Sequence, residues 1–96
     1  MEVINNIMKQ QFELEVGGEK AIILYKMKGN KIILKDTQVP ASMKGQGIGS
    51  KLASQTFDLI ETMGLKIIPT CEFIQAWLKR HPERQSMVIL NGLDKY

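Results

Sequence analysis

The sequence predicts an α+β fold: a mostly antiparallel sheet with one parallel step, carrying two main helices. Three observations predict it. Residues 12–16 alternate apolar and charged side chains, the period of a half-buried strand. Gly17-Gly18 and Gly29-Asn30 then break an otherwise β-rich stretch into hairpin-sized pieces. From Ile48 the apolar spacing changes to the 3.6-residue period of a helix.

Taken in order, Phe12, Leu14 and Val16 face inward on a first strand, with Glu13 and Glu15 facing water. Gly17-Gly18 is a two-residue turn into a second strand, Ala21 to Met27. Gly29-Asn30 turns again into Lys31-Ile32-Ile33-Leu34, a third strand running on towards Val39. Ile48, Leu52, Thr56, Leu59, Ile60 and Met63 share one face of the first helix, and Gly64 suits its C-cap. Leu65 to Ile68 is a short fourth strand. A helical crossover reaches it, which makes it parallel to the third, with Lys35–Val39 as its neighbour. Phe73, Ile74, Trp77 and Leu78 mark a second helix with a core-packing face, ended by His81-Pro82. Met87 to Leu90 fits either a last edge strand or a docked tail.

Ninety-six residues with 44% apolar content suit one small domain spanning 1–96, with no linker, repeat or low-complexity segment to divide it. So short a chain buries modest surface, which leaves a monomer or a weak homodimer open. The first residues lack the pattern of a secretion signal, and no apolar run is long enough for a membrane span. A single cysteine excludes an internal disulfide and points to a reducing, cytoplasmic setting. A net charge of +3 favours anionic ligands. The basic residues are dispersed and no aromatic–basic strand alternates, so nucleic acid is the lesser expectation.

The densest information lies in Val39-Pro40-Ala41-Ser42-Met43-Lys44-Gly45-Gln46-Gly47-Ile48-Gly49-Ser50. A strand reaches Val-Pro, three glycines alternate with Gln46 and Ile48, and a helix begins at once. Glycines there leave the first-turn amides open to a ligand, at the positive end of the helix dipole. No Asp or Glu occurs from Thr37 to Phe57, although acids usually complement a helix start, and Lys44 and Lys51 flank the glycines. The pattern suits a phosphate or pyrophosphate from outside. A tight turn serving only close strand–helix packing is the plainer alternative. No Gly-Lys-Ser/Thr follows Gly45, so it is not a Walker loop, and Ser50 stands where a dinucleotide fingerprint needs its third glycine.

The six residues Lys44-Gly45-Gln46-Gly47-Ile48-Gly49 resemble motif A of the GNAT superfamily of acetyl-CoA-dependent acetyltransferases, Gln/Arg-x-x-Gly-x-Gly/Ala. They depart only at Lys44. Ile68-Pro69-Thr70-Cys71, the helix after it, and Arg80-His81-Pro82-Glu83 are similar to the second half of the short single-domain GNAT-like proteins. With Thr37-Gln38-Val39-Pro40 the resemblance spans roughly residues 12 to 88. It implies a minimal GNAT-like fold whose two parallel strands splay apart around the coenzyme. Val39 would bond the pantetheine amides through its backbone. Lys44, Gly45, Gln46, Gly47, Ile48 and Gly49 would cradle the pyrophosphate, with Ser50 beside them. The implied activity is transfer of an acetyl group from acetyl-CoA to the amine of a small molecule or peptide.

Such transfer requires an amine that has lost its proton, a polarised carbonyl and a stabilised leaving thiolate. Cys71 is the candidate catalytic residue: it follows a buried strand at the start of the second helix and could accept the acetyl group itself. It could equally line the thioester pocket, or be a small buried hydrophobe. His81 better fits a cap or a solvent-facing ring than a base. Asp36, where related proteins often carry His, and Glu72 are the acids nearest the expected crevice. Lys79 and Arg80 could reach a ribose phosphate or simply end a solvated helix. No His, Cys or carboxylate spacing suggests a metal. Two other classes stay open: a non-catalytic acyl-CoA-binding module on the same fold, and a basic adaptor whose binding would fall steeply with salt.

Overall fold

A computed structural model describes residues 2–89. Five strands form one sheet in sequential order: β1 (Ile4–Asn6), β2 (Gln11–Val16), β3 (Glu19–Lys28), β4 (Lys31–Gln38) and β5 (Lys66–Pro69). β1 to β4 are antiparallel neighbours, and β5 adds to β4 in parallel. Helix α1 (Ile48–Met63) makes the crossover and α2 (Glu72–Arg80) follows β5. The antiparallel meander, the single parallel step and both helices agree with the sequence reading.

The core lies on one face of the sheet. α1 packs over β2 and β3, α2 over β4 and β5, and one continuous apolar cluster joins them. Phe12, Leu14, Ile23, Ile32 and Leu34 rise from the sheet to meet Leu52, Phe57, Ile60, Ile74 and Trp77, all within 1% of full burial. Phe57 and Trp77 join the helices with ring centroids 4.8 Å apart. The buried stripe of α1 runs through Ile48, Leu52, Ala53, Thr56, Phe57 and Ile60. Leu59 is half-buried, and Met63, in the last turn, is exposed rather than inward-facing as its spacing suggests. Gly64 closes α1 by donating its N–H to Glu61 O at 3.1 Å.

Three departures from the sequence reading have physical causes. First, Glu13 is buried although alternation places it in water. The short edge strand β1 lies beside it, with Ile4 opposite Glu13. Gln11 Nε2 (2.6 Å), Asn6 Nδ2 (3.0 Å) and Lys20 Nζ (3.4 Å) then surround its carboxylate. Second, β5 does not pair with Lys35–Val39. Its register is Lys31↔Lys66 to Leu34↔Pro69, so β4 outruns it by four residues. The N–H groups of Thr70 and Cys71 both donate to Leu34 O (3.2 Å each), and Thr70 Oγ1 donates to it at 3.1 Å. The β3 pairing slips at that level too. Tyr25 faces Leu34 and Leu24 faces Asp36, leaving Lys35 as a bulge that bends β4 away from β5. Third, a 3₁₀ helix that the spacing does not announce, Pro82–Met87, leads into the segment expected as an edge strand or tail, Met87 to Leu90, with Arg84 paired to Asp58 and Glu61 of α1. Val88 then makes a single parallel bridge to Ile67. Leu90 lies outside the described residues.

The Glu13 carboxyl is held below the usual carboxylate range, chiefly by the Gln11 amide and further by Asn6 and Lys20, with burial opposing them. A depressed folded-state pKa contributes stability above the unfolded value and loses it as pH falls through the folded one. Thermal melts of Glu13→Gln are therefore expected to lie below wild type at pH 7. The two should converge as pH drops below the ordinary value of 4.5. A gap that stays constant with pH would show that the charge contributes nothing.

Candidate functional site

Where β4 runs on past β5, a crevice of about 800 Å³ is walled by the end of β4, the loop that follows it, the start of α1, Phe73 and Arg80 of α2, and Lys20 of β3. Pro40 leads into a 3₁₀ turn, Ala41–Met43, anchored by the buried Met43 side chain. Ser42 Oγ donates to Glu19 Oε2 at 3.0 Å and ties the loop to β3. Gln46 Nε2 donates to Ser42 O at 2.9 Å and braces it across its own span.

The three glycines divide the work. Gly45 (φ +80°) and Gly47 (φ +73°) take left-handed backbone angles, and a Cβ built on either would meet nothing within 4 Å. These two are needed for conformation, and they leave open space on the crevice side. Gly49 is different: its φ is ordinary, but a Cβ there would stand 2.8 Å from Phe73 Cζ and 3.7 Å from Val39 Cγ2. It is needed for close packing of α1 against α2 and the strand end. The tight-packing reading of the sequence holds at Gly49, while Gly45 and Gly47 are set by conformation and leave the open space that a phosphate receptor would need.

α1 starts without help from its own side chains. Gly47 is its N-cap with no side-chain hydrogen bond, and no acid sits in the first turn. The first bond of the helix runs from Lys51 N–H to Gly47 O at 3.0 Å, so the amides of Ile48, Gly49 and Ser50 precede it. Among the described residues no Asp, Glu or His lines the crevice, whereas Lys20, Lys44 and Arg80 do. That arrangement can hold a polyanion: open amides at a positive helix end, ringed by cations with no competing acid.

Of the candidate residues, Val39, Lys44, Gly45, Gly47, Ile48, Gly49 and Ser50 line this crevice together. Gln46 braces the loop instead, and Lys51 is half-buried off the crevice. Cys71 caps α2, is 5% exposed, and lies one layer back, with Sγ 3.2 Å from Thr37 Oγ1. Thr37 is the residue that reaches the crevice there. His81 stacks on Trp77 (centroids 4.0 Å, interplanar 15°), and its Nδ1 lies 2.8 Å from Trp77 O. Asp36 is spent locally on the Thr37 amide and the Gln38 side chain. Glu72 is exposed and off the crevice.

Sequence reasoning missed Lys20 and Phe73. Nothing in the spacing marks Lys20: β3 begins beside the loop only because the meander folds back. Phe73 reads as core by its four-residue spacing from Trp77, and it does pack, but its ring also walls the crevice. Trp77 stays buried and reaches the site by donating from Nε1 to Ser50 Oγ at 3.3 Å. Among the described residues no cluster of His, Cys or carboxylates could hold a metal ion. No helix there is long and apolar enough to cross a membrane.

Residues 11–87 match the profile of a family described as GCN5-related N-acetyl-transferase. Protein NATD1 of Gallus gallus is 32% identical over 85 residues, which is 85% of this chain and 77% of that protein. Protein NATD1 of Homo sapiens is 34% identical over 77 residues, 77% of this chain and 68% of that protein. The solution structure of a GCN5-like protein from Staphylococcus aureus superposes with a TM-score of 0.71 at 25% identity, covering 95% of this chain and 91% of that one.

The separate roles of the glycines are testable by stability. Gly47→Ala is expected to cost about 1–2 kcal/mol from left-handed strain alone, whether or not Phe73 is present. Gly49→Ala is expected to destabilise in the wild-type background and to recover when combined with Phe73→Ala. Denaturant unfolding of the three single variants, Gly47→Ala, Gly49→Ala and Phe73→Ala, and of each glycine variant combined with Phe73→Ala checks this.

Proposed function

Because the chain belongs to the GCN5-related N-acetyl-transferase family, we propose that its crevice holds acetyl-CoA and delivers the acetyl group to a primary amine of a small molecule or peptide. The observation that carries the reading is the uncapped, acid-free start of α1, opening into the gap that β4 and β5 leave between them. The residues fit the coenzyme. Open amides at Ile48, Gly49 and Ser50 suit a diphosphate, and Lys44 adds charge beside them. Beyond Leu34 the β5 side of β4 has no strand partner among the described residues, which leaves the backbone near Val39 to pair with the amides of the pantetheine arm. When bound, the coenzyme supplies the acetyl group as an activated thioester.

The chain's own part is chiefly placement. Thr37 and Val39 stand at the inner end of the crevice, where the arm would end, and Met43, Ile48 and Phe73 offer apolar walls that keep water away. No carboxylate or histidine lines the crevice among the described residues, so this reading assigns the amine's proton to solvent rather than to Asp36, Glu72 or His81. The direct route suits the geometry better than the covalent one, since Thr37 separates Cys71 Sγ from the crevice. A buried free thiol also fits the reducing, cytoplasmic setting proposed for this chain.

Calorimetric titration with acetyl-CoA, CoA, ATP and NAD tests the site. Binding of acetyl-CoA and CoA is expected, and Gly47→Glu, which adds both strain and a negative charge, is expected to abolish it. Binding of none of the four, or of all alike, would overturn the coenzyme reading. With the site in place, Cys71→Ala is expected to keep single-turnover transfer within about threefold of wild type, well under one kcal/mol of barrier. A loss of 100-fold or more (at least about 2.7 kcal/mol) with coenzyme affinity intact would establish the route through Cys71 instead.

A further inference from the structure

The crevice has two ends, and α2 spans the distance between them. At the inner end Cys71, the cap of α2, touches Thr37. Phe73 then lies against Gly49, and Trp77, one turn on, donates to Ser50. Arg80 follows a turn later, at the end of α2, and lines the crevice. The nine residues of α2 rise about 13 Å in all. The three cations on the crevice are not equivalent. Lys20 already faces the buried carboxylate of Glu13 at 3.4 Å, and Lys44 belongs to the loop itself. Arg80 has no salt bridge among the described residues and is exposed. Its neighbour Lys79 is equally exposed but does not line the crevice.

We propose that Arg80 is a specificity-determining residue, pairing with the ribose 3′-phosphate and so distinguishing coenzyme A from dephospho-coenzyme A. This rests on the coenzyme reading above. With the diphosphate on the amides of Ile48 to Ser50 and the arm directed inward to Thr37 and Val39, the nucleotide is left on the outer side. There the third phosphate is a dianion that the loop amides do not serve. A guanidinium offers it two parallel N–H donors in a fixed plane, a match that an ammonium lacks. The sequence leaves Lys79 and Arg80 as equal candidates, and the turn of α2 separates them.

The test is calorimetric titration of CoA and dephospho-CoA, at one salt concentration, into wild type, Arg80→Ala, Arg80→Lys and Lys44→Ala. The single tryptophan, Trp77, gives an independent fluorescence readout beside the site. Wild type is expected to prefer CoA by about tenfold or more, the scale of one charge-assisted bidentate contact. Arg80→Ala should weaken CoA alone and bring the preference to within about twofold, with Arg80→Lys between, all at an unchanged melting temperature. Lys44→Ala should weaken both ligands together and keep the preference. Equal weakening of both by Arg80→Ala, a preference that survives it, or a preference erased by Lys44→Ala would each overturn the assignment while leaving the coenzyme reading intact. Binding of neither ligand to wild type would overturn both.

Discussion

The carbonyl of Leu34 is the point on which the rest of the site depends. Two backbone amides and one hydroxyl, from Thr70 and Cys71, converge on that single oxygen. They tie the end of β5 to the middle of β4, and further along only the Cys71 Sγ–Thr37 Oγ1 contact follows among the described residues. The bulge at Lys35, one residue on, turns β4 outward at the same level. A sheet that would otherwise continue is thus forced open, and the opening has polar backbone on one wall and a helix start on another. Closing it with a longer β5 would satisfy more backbone and destroy the crevice.

Electrostatics follow from that opening. A helix start directed into a gap with no acid of its own is an unfavourable place for another carboxylate to be missing, unless an anion arrives from elsewhere. The chain keeps acids out of residues 37–57 and spends those nearby on structural tasks. Glu19 holds the loop, Asp36 holds its own strand, and Glu13 holds Lys20 and the edge strand. The buried Glu13 therefore belongs to the architecture around the site rather than to the reaction. The packing of α2 has the same character. Trp77 is core by burial, yet its indole N–H and the Phe73 ring set the position of α1's first turn.

Much of this was legible beforehand because the signals are local. Turn glycines, the change from a two-residue to a 3.6-residue period and the acid-free stretch all act within a few residues. The glycine loop and the helix it opens were readable for that reason, as was the resemblance in motif A. What local pattern misplaced was whatever a distant strand or helix decides. Glu13 went inside because β1 lies across it. Met63 stayed exposed although Ile60, one turn earlier, is buried in the core. β5 paired lower on β4 than the proximity of Val39 to the loop suggests, since its register is chosen by apolar matches such as Ile32 with Ile67 and Ile33 with Ile68.

By itself the sequence determined the order of the four longer strands and two α-helices, the glycine-framed helix start and the acid-free stretch around it. These rest on turn glycines, the change of side-chain period and the absence of acids, all of which act within a few residues. Only the tertiary structure decided that Thr37, and not Cys71, meets the crevice, that Arg80 lines it while Lys79 does not, and that Gly49 serves packing while Gly45 and Gly47 serve conformation. Each of those outcomes depends on how two elements far apart in the chain are rotated against each other. That rotation is set by the packing of Phe57 on Trp77 and by the hold of Thr70 and Cys71 on one carbonyl, neither of which a single segment encodes.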